Sequence, residues 1–265
     1  YIIGEGYHIY KSEAVGTAAL GGVIPQTVPV LEDGSIDIEV AIGKVKSDDM
    51  HFPRTKLLCL ENTYNGKPLS PKYMQCATAA ARKVNLRSHL DGARLMNAAI
   101  ANKCTPKELA SSFDTVSLCL SKGLGAPVGS VLVGNQDFIN EARRVRKMLG
   151  GGMRQAGILA ACGIVAMKNQ VDRLIQDHAL AARLASELAQ IPDIETEPQG
   201  ANTNMVFIKV EHKHRAPLQS FLKKEGILIG GRPPTFRLVL HRDITEDDVN
   251  KTVSGIAKFF REISY

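Results

Sequence analysis

Asp114 to Gly129, DTVSLCLSKGLGAPVG, is the stretch on which the fold turns. Thr115 to Leu120 is a short apolar run containing β-branched residues, which predicts a buried strand. Ser121 and Lys122 close it, and Gly123, Gly125 and Pro127 stop regular structure at once. A lysine at the carboxyl end of a buried strand is expected to be half desolvated, which pulls an ammonium pKa down. A neutral amine can then form a Schiff base with an aldehyde, and the flanking glycines let a flat group approach the backbone. Taken alone, a lysine at a strand end is more often a solvated surface residue, so the reading of Lys122 depends on its companions.

Working outward, Lys56 to Leu60 reads as a strand ending in Glu61-Asn62, Leu86 to Leu90 as one ending at Asp91, and Val128 to Val133 as another. Tyr1 to Ile3 is a further short strand; Val23 to Val30 is extended, with Pro25 and Pro29 keeping it from a sheet centre. Helices are predicted between these at Ala14 to Leu20, Asp37 to Val45, Pro71 to Val84, Ala93 to Ala101 and Pro106 to Ser112, with a basic helix at Gln136 to Met148. Such alternation indicates right-handed β-α-β units and a mostly parallel sheet, in which ligands collect at the carboxyl ends of the strands. Glu61, Asp91 and Lys122 each stand at such an end.

Gly150-Gly151-Gly152 breaks the chain before an apolar helix at Gln155 to Asn169 and an amphipathic one at Val171 to Gln190. From Asn204 the pattern changes to strands at Met205 to Val210, Ile227 to Ile229 and Phe236 to His241. A helix from Pro217 to Lys224 and a final helix capped by Thr245, with Asp248 three residues on, complete it. The expected architecture is α/β: a large cofactor-binding domain over residues 1–170 and a small C-terminal α+β domain over 171–265.

Composition narrows the function classes. A chain of 265 residues with 44% hydrophobic and 23% charged residues is ordinary for a globular enzyme. A net charge of +6 without a zinc finger, RNA-recognition signature or aromatic-interleaved basic strip gives no sign of nucleic acid. Five scattered cysteines, none in a C-x-x-C pair, point to reduced thiols in a cytoplasmic setting and to no metal site. The longest apolar run, Ile158 to Met167, is too short for a bilayer, which needs about 20 residues.

Asp91 and Lys122 are 31 positions apart, about one β-α-β unit, so neighbouring parallel strands would present a carboxylate and an amine side by side. Pyridoxal phosphate (PLP) needs this pair: the amine carries the aldehyde, and the carboxylate keeps the ring nitrogen protonated. By itself, an aspartate capping the next helix is the commoner explanation. Arg94, in D-G-A-R, stands near the same opening, where its forked donors suit a ring hydroxyl or a substrate carboxylate; a solvated helix arginine is the competing meaning. Phe236, Leu238 and Leu240 share one strand face, so Arg237 points the other way, towards a carboxylate or simply towards solvent. Gly150–Gly152 with Arg154 suits a phosphate, or is a flexible break. His8, after a glycine-containing turn, could stack on a ring or move a proton, or be polar surface; His89 shares a strand face with Asp91.

These residues carry a resemblance. HLDGARLMNA (His89 to Ala98), SLCLSKGLGAPVGSVLVG (Ser117 to Gly134), RKMLGGGMRQAGILAA (Arg146 to Ala161), HFPRT (His51 to Thr55), LENT (Leu60 to Thr63) and TNM (Thr203 to Met205) resemble the low-specificity L-threonine aldolases. That family belongs to the fold-type-I PLP enzymes, alongside beta-eliminating lyases. The resemblance implies that Lys122 carries the cofactor, Asp91 partners the pyridine nitrogen and His8 stacks on the ring. It implies further that Arg94 and Arg237 hold the substrate carboxylate, and that Lys147 and Arg154 reach towards the phosphate of a neighbouring subunit's cofactor in a tetramer. The implied reaction is cleavage of L-threonine or L-allo-threonine to glycine and acetaldehyde.

Two departures qualify the resemblance. A histidine commonly follows E-N-T in the family and engages the β-hydroxyl, whereas this chain has Tyr64. A phenol, with a pKa of about 10 against about 6.5 for imidazole, is the poorer base at neutral pH. The family's N-terminal segment has no counterpart, and the chain starts Tyr-Ile-Ile inside a predicted strand, which reads as an N-terminally truncated form of a longer protein. A catalytically impaired relative, and a PLP lyase acting on another 3-hydroxy amino acid, therefore stand as the alternatives.

Overall fold

Alternating apolar runs and capped helices build the larger part of the molecule. The computed structural model describes residues 1–196 and 201–263, and the chain divides into two compact units, Tyr1–Val171 and Asp172–Tyr265. Strands of the first unit are β1 (Ile2–Gly4), β2 (Gln26–Val28), β3 (Leu57–Glu61), β4 (Thr63–Tyr64), β5 (Lys67–Pro68), β6 (Arg87–Asp91), β7 (Thr115–Cys119) and β8 (Ser130–Val133). Six form one sheet in the order β2-β1-β3-β6-β7-β8. It is parallel except for β8, which runs antiparallel to β7. β2 lies at an edge, where the flanking Pro25 and Pro29 cost no ladder hydrogen bonds. β4 and β5 form a separate two-stranded hairpin directly after β3.

Local chemistry sets the connecting helices. Ser70 accepts the Tyr73 N–H at 3.2 Å and Pro71 opens the helix Pro71–Lys83, which buries Met74, Ala77, Thr78 and Ala81 against the sheet unit's core. Asp37 caps Ile38–Gly43 through the Glu39 and Val40 N–H groups, and Thr105 with Glu108 forms a capping box on Pro106–Ala110. The basic helix spans Gln136–Met148 and buries none of its residues. All four residues of β8 are exposed as well.

The second unit has its own core. Strands β9 (Glu195–Thr196), β10 (Met205–Lys209) and β11 (Thr235–Val239) form an antiparallel sheet in the order β11-β10-β9. Helices Leu174–Leu188, His212–Lys224 and Glu246–Ile263 supply Leu184, Leu188, Leu222, Phe259 and Phe260 to a cluster with Ile208 and Phe236. The Thr245–Asp248 cap forms as read, with the Asp248 N–H donating to Thr245 Oγ1 at 3.2 Å. Two expectations fail. Ile227 to Ile229 is not a strand: the Ile229 carbonyl is taken by the Gln219 side-chain amide at 2.9 Å, so pairing with β11 stops at the single bridge Gly230–Arg237. The helix expected from Pro217 starts at His212, with Pro217 inside it; the missing N–H there deprives only the carbonyl four residues back.

Candidate active site

Register brings the predicted strand ends level. Glu61 pairs with Asp91, and Asp91 with Ser117, so one row crosses the carboxyl ends of β3 and β6 and the middle of β7. The row is tied by Asn62 N–H donating to the Asp91 carbonyl at 3.1 Å and Gly92 N–H donating to the Ser117 carbonyl at 2.8 Å. Asp91 is buried and its Oδ1 accepts the Ala93 N–H at 3.0 Å. This bond closes a local turn and does not cap the next helix, which starts only at Leu95. Arg94 is the N-cap residue of helix Leu95–Asn102, and its carbonyl accepts the Thr63 hydroxyl at 3.4 Å.

β7 stops at Cys119, one residue before the sequence suggests, and Lys122 lies in the loop beyond it. That loop is closed by Leu120 N–H to Gly129 O at 2.9 Å, Ala126 N–H to Leu120 O at 3.0 Å and Gly125 N–H to Lys122 O at 2.9 Å. Gly125 and Gly129 have φ of +70° and +110°, which side-chain-bearing residues resist. The Lys122 side chain is exposed rather than half-buried, because three residues separate it from the strand's buried positions.

His8 is the first residue of the short helix His8–Lys11 that follows β1. Its backbone N–H donates to Glu61 Oε1, which brings this turn onto the end of β3. The imidazole Nε2 lies 2.5 Å from Glu13 Oε1, and both side chains are more than half exposed. Tyr64, on the hairpin, fits a slot between two glycines. A Cβ on Gly34 would fall 2.9 Å from the Tyr64 Cβ, and one on Gly6 would run into its hydroxyl. Its ring stands 5.7 Å from that of Tyr7. Burial, reinforced by Glu61, raises the Tyr64 pKa, so the phenol is a neutral group at neutral pH.

Glu61 links the constellation. Burial pushes its carboxyl up to about 8, against the His8 N–H that favours the charged form. Asp91 adds to the rise, while Lys122 and Arg94 oppose it. His8, Tyr64, Asp91, Arg94 and Lys122 thus each interact with Glu61. Glu61 was legible as a strand-end carboxylate but not as the hub, and Asn62 was not singled out at all. Asn62 is fully buried, and neither side-chain polar atom has a hydrogen-bond partner among the described residues. His89 turns its Nδ1 to Thr115 Oγ1 at 2.8 Å, and burial holds its pKa below the usual value.

The remaining predicted residues lie elsewhere. Lys147 and Arg154 are exposed. The Lys147 side chain lies over Gly152, where any Cβ would collide with it. Arg237 belongs to the second unit, exposed on the face of β11 opposite the buried Phe236 and Leu238. It lines a cleft of about 260 Å³ together with Leu228, Ile229, Val239, Asp243 and Lys251.

Comparison with known proteins identifies the family. The family model described as Beta-eliminating lyase matches residues 1–211. The Low specificity L-threonine aldolase of Escherichia coli (strain K12) is 46% identical over 249 residues, covering 94% of this chain and 74% of the relative. The Low-specificity L-threonine aldolase 1 of Arabidopsis thaliana is 41% identical over 262 residues, covering 96% and 73%. Among solved structures, that of Leishmania major threonine aldolase superposes with a TM-score of 0.78 at 21% identity, over 97% of this chain and 76% of that one.

Proposed function

The chain belongs to the beta-eliminating lyase family, and from that premise we propose that it cleaves L-threonine and L-allo-threonine to glycine and acetaldehyde with PLP. The fold is that of the fold-type-I PLP enzymes. One observation carries the assignment of the site: Asp91 ends β6, Lys122 lies in the loop after the neighbouring β7, and the buried Glu61 carboxyl stands level with Asp91 while accepting the His8 N–H.

The donor set fits the cofactor. Lys122 offers an exposed amine for the aldehyde, and Asp91 a buried acid for the ring nitrogen. PLP, when bound, supplies an electron sink for the pair released as the Cα–Cβ bond breaks. The protein's own part is to position and to move protons. Arg94 binds the substrate carboxylate, the forked guanidinium being suited to it, and the family resemblance gives Arg237 the same role. The Tyr64 hydroxyl hydrogen-bonds the β-hydroxyl. His8, whose Nε2 is held by the Glu13 carboxylate, accepts the β-hydroxyl proton at its other ring nitrogen, Nδ1.

We further propose a homo-oligomer, a tetramer by family resemblance, in which Lys147 and Arg154 approach a neighbouring subunit's phosphate. The exposed Leu132, Val133, Met148, Leu149 and Ile158 support this, since an apolar surface of that kind marks an interface. No helix of the described residues is long and apolar enough to cross a membrane, and a cytoplasmic enzyme is the reading that fits. Tyr64 in place of a basic imidazole favours one competing outcome, a slow or impaired relative. Titration with PLP, followed by addition of L-threonine, tests the assignment: wild type develops the absorbance band of lysine-bound PLP and then releases glycine and acetaldehyde from the threonine, whereas Lys122→Ala does neither. Identical spectra for the two proteins would refute it, and ammonia with a keto acid as products would mark a β-eliminating lyase instead.

A further inference from the structure

Glu61 is 8% exposed, at the last position of a strand whose other residues from Leu58 onward are apolar and buried. Acidic side chains are almost never buried to this extent without a partner cation, yet no ion pair is formed by Glu61 among the described residues. What it does contact is a backbone donor, the His8 N–H. It stands level with Asp91 on the adjacent strand, and adjacent strands lie only about 4.8 Å apart. Two carboxyl groups so placed resist being ionised together.

On the reading that this rim is the PLP site, we propose that Glu61 is a further positioning residue of the reaction: it holds the His8-bearing turn against the end of β3, and it does so as the neutral carboxyl. The groups facing it are Asp91 from β6, Arg94 from the start of the following helix, Lys122 from the loop after β7, Tyr64 from the hairpin and Tyr7 beside His8. Burial and Asp91 favour the protonated form; Lys122, Arg94 and the His8 N–H favour the charged one, and burial is the largest influence. The balance sets ionisation at about 8. A carboxyl raised above its ordinary value makes the folded state bind a proton that the unfolded state releases. Stability is therefore lost as pH rises from the ordinary value of 4.5 to about 8. Glu61 weakens the fold at neutral and alkaline pH, which a purely structural residue has no reason to do.

Glu61→Gln separates the roles, because an amide oxygen still accepts the His8 N–H but cannot ionise. Melting is measured on the cofactor-free protein at pH 5 and pH 8.5, and PLP binding by absorbance across the same range. Glu61→Gln is expected to melt with wild type at pH 5 and several degrees above it at pH 8.5. Its PLP affinity should stay within about threefold of wild type at pH 7 while losing the alkaline decline that wild type shows. Glu61→Ala, which removes the acceptor, should lose tenfold or more in PLP affinity and in kcat, with Glu61→Gln as the conservative rescue. Equal melting differences between the two pH values in Glu61→Gln and wild type would overturn the neutral carboxyl. Wild-type PLP affinity and kcat in Glu61→Ala would overturn the positioning role. Failure of wild type to bind PLP at all would instead strike the underlying functional reading, leaving the melting comparison to decide the state of Glu61.

Discussion

The Ser117 carbonyl stands 2.8 Å from the Gly92 N–H, and 2.7 Å from the point where a Cβ on Gly92 would fall. The strand carrying Asp91 and the strand leading to Lys122 therefore meet without space for a methyl group. The Val116 side chain closes the same position at 3.2 Å. Gly92→Ala is expected to cost about 1–3 kcal/mol, the usual range for overpacking. It should also weaken PLP binding by pushing Asp91 from its place. Gly43→Ala, which meets nothing within 4 Å, is the matched control and should be neutral. Urea midpoints for the two variants check the contrast; equal stability would mean that β6 and β7 yield freely here.

Asp114 ties the opposite ends of the same two strands. Its carboxylate accepts the Ser88 N–H at 2.8 Å, the Ser88 hydroxyl at 2.9 Å and an Arg87 N–H at 2.9 Å. Partial burial pulls its pKa upward, but the Ser88 and Arg87 hydrogen bonds prevail and hold it below 3.8. A depressed carboxylate contributes stability above its ordinary pKa, and that contribution disappears as pH falls through the folded value. Asp114→Asn should lose about 1–2 kcal/mol at pH 7 and show a shallower loss on acidification below pH 4. Chemical denaturation at pH 7 and pH 3 provides the measurement, and a variant as stable as wild type at pH 7 would defeat the prediction.

Tyr64→Phe keeps the ring in its slot between Gly6 and Gly34 and removes only the hydroxyl. One neutral hydrogen bond is worth about 0.5–1.5 kcal/mol. Cleavage of threonine should accordingly slow by roughly 2–10-fold in kcat/KM, with PLP absorbance unchanged. An unaltered rate would remove Tyr64 from the substrate's surroundings.

Arg237 is exposed and contributes no apolar packing to its unit. Arg237→Ala should leave melting within about 0.5 kcal/mol of wild type. Loss of a charge-assisted hydrogen bond to the substrate carboxylate, about 1.5–3 kcal/mol, should raise KM by roughly 10–150-fold. Arg237→Lys is expected to restore little, since an ammonium lacks the two-pronged geometry. Steady-state kinetics decide it, and an unmoved KM would assign Arg237 to the solvent-facing edge alone.

Much of this was legible because it rests on local signals. Period-2 alternation around Arg237, the Thr245 cap with Asp248 three residues on, and the strand-loop-glycine pattern at Lys122 each act within a few residues. What escaped the sequence depends on distant partners. Lys122 is exposed because its strand ends at Cys119, a matter of pairing with β6 and β8. Ile227 to Ile229 has strand composition, but Gln219 removes the carbonyl a ladder would use. The part played by Glu61 depends on a turn 53 residues earlier in the chain, and no spacing rule joins His8 to it.

β8 ends the sheet, with Val131, Leu132 and Val133 all more than two-fifths exposed. A flat apolar edge of this kind is a template on which identical strands can stack, the first step towards cross-β fibrils. If the proposed oligomer forms, the chain carries that hazard until it assembles, and its yield should fall steeply with expression level. Leu132→Lys, which charges the rim, should keep the newly folded chain dispersed at concentrations where the native sequence precipitates.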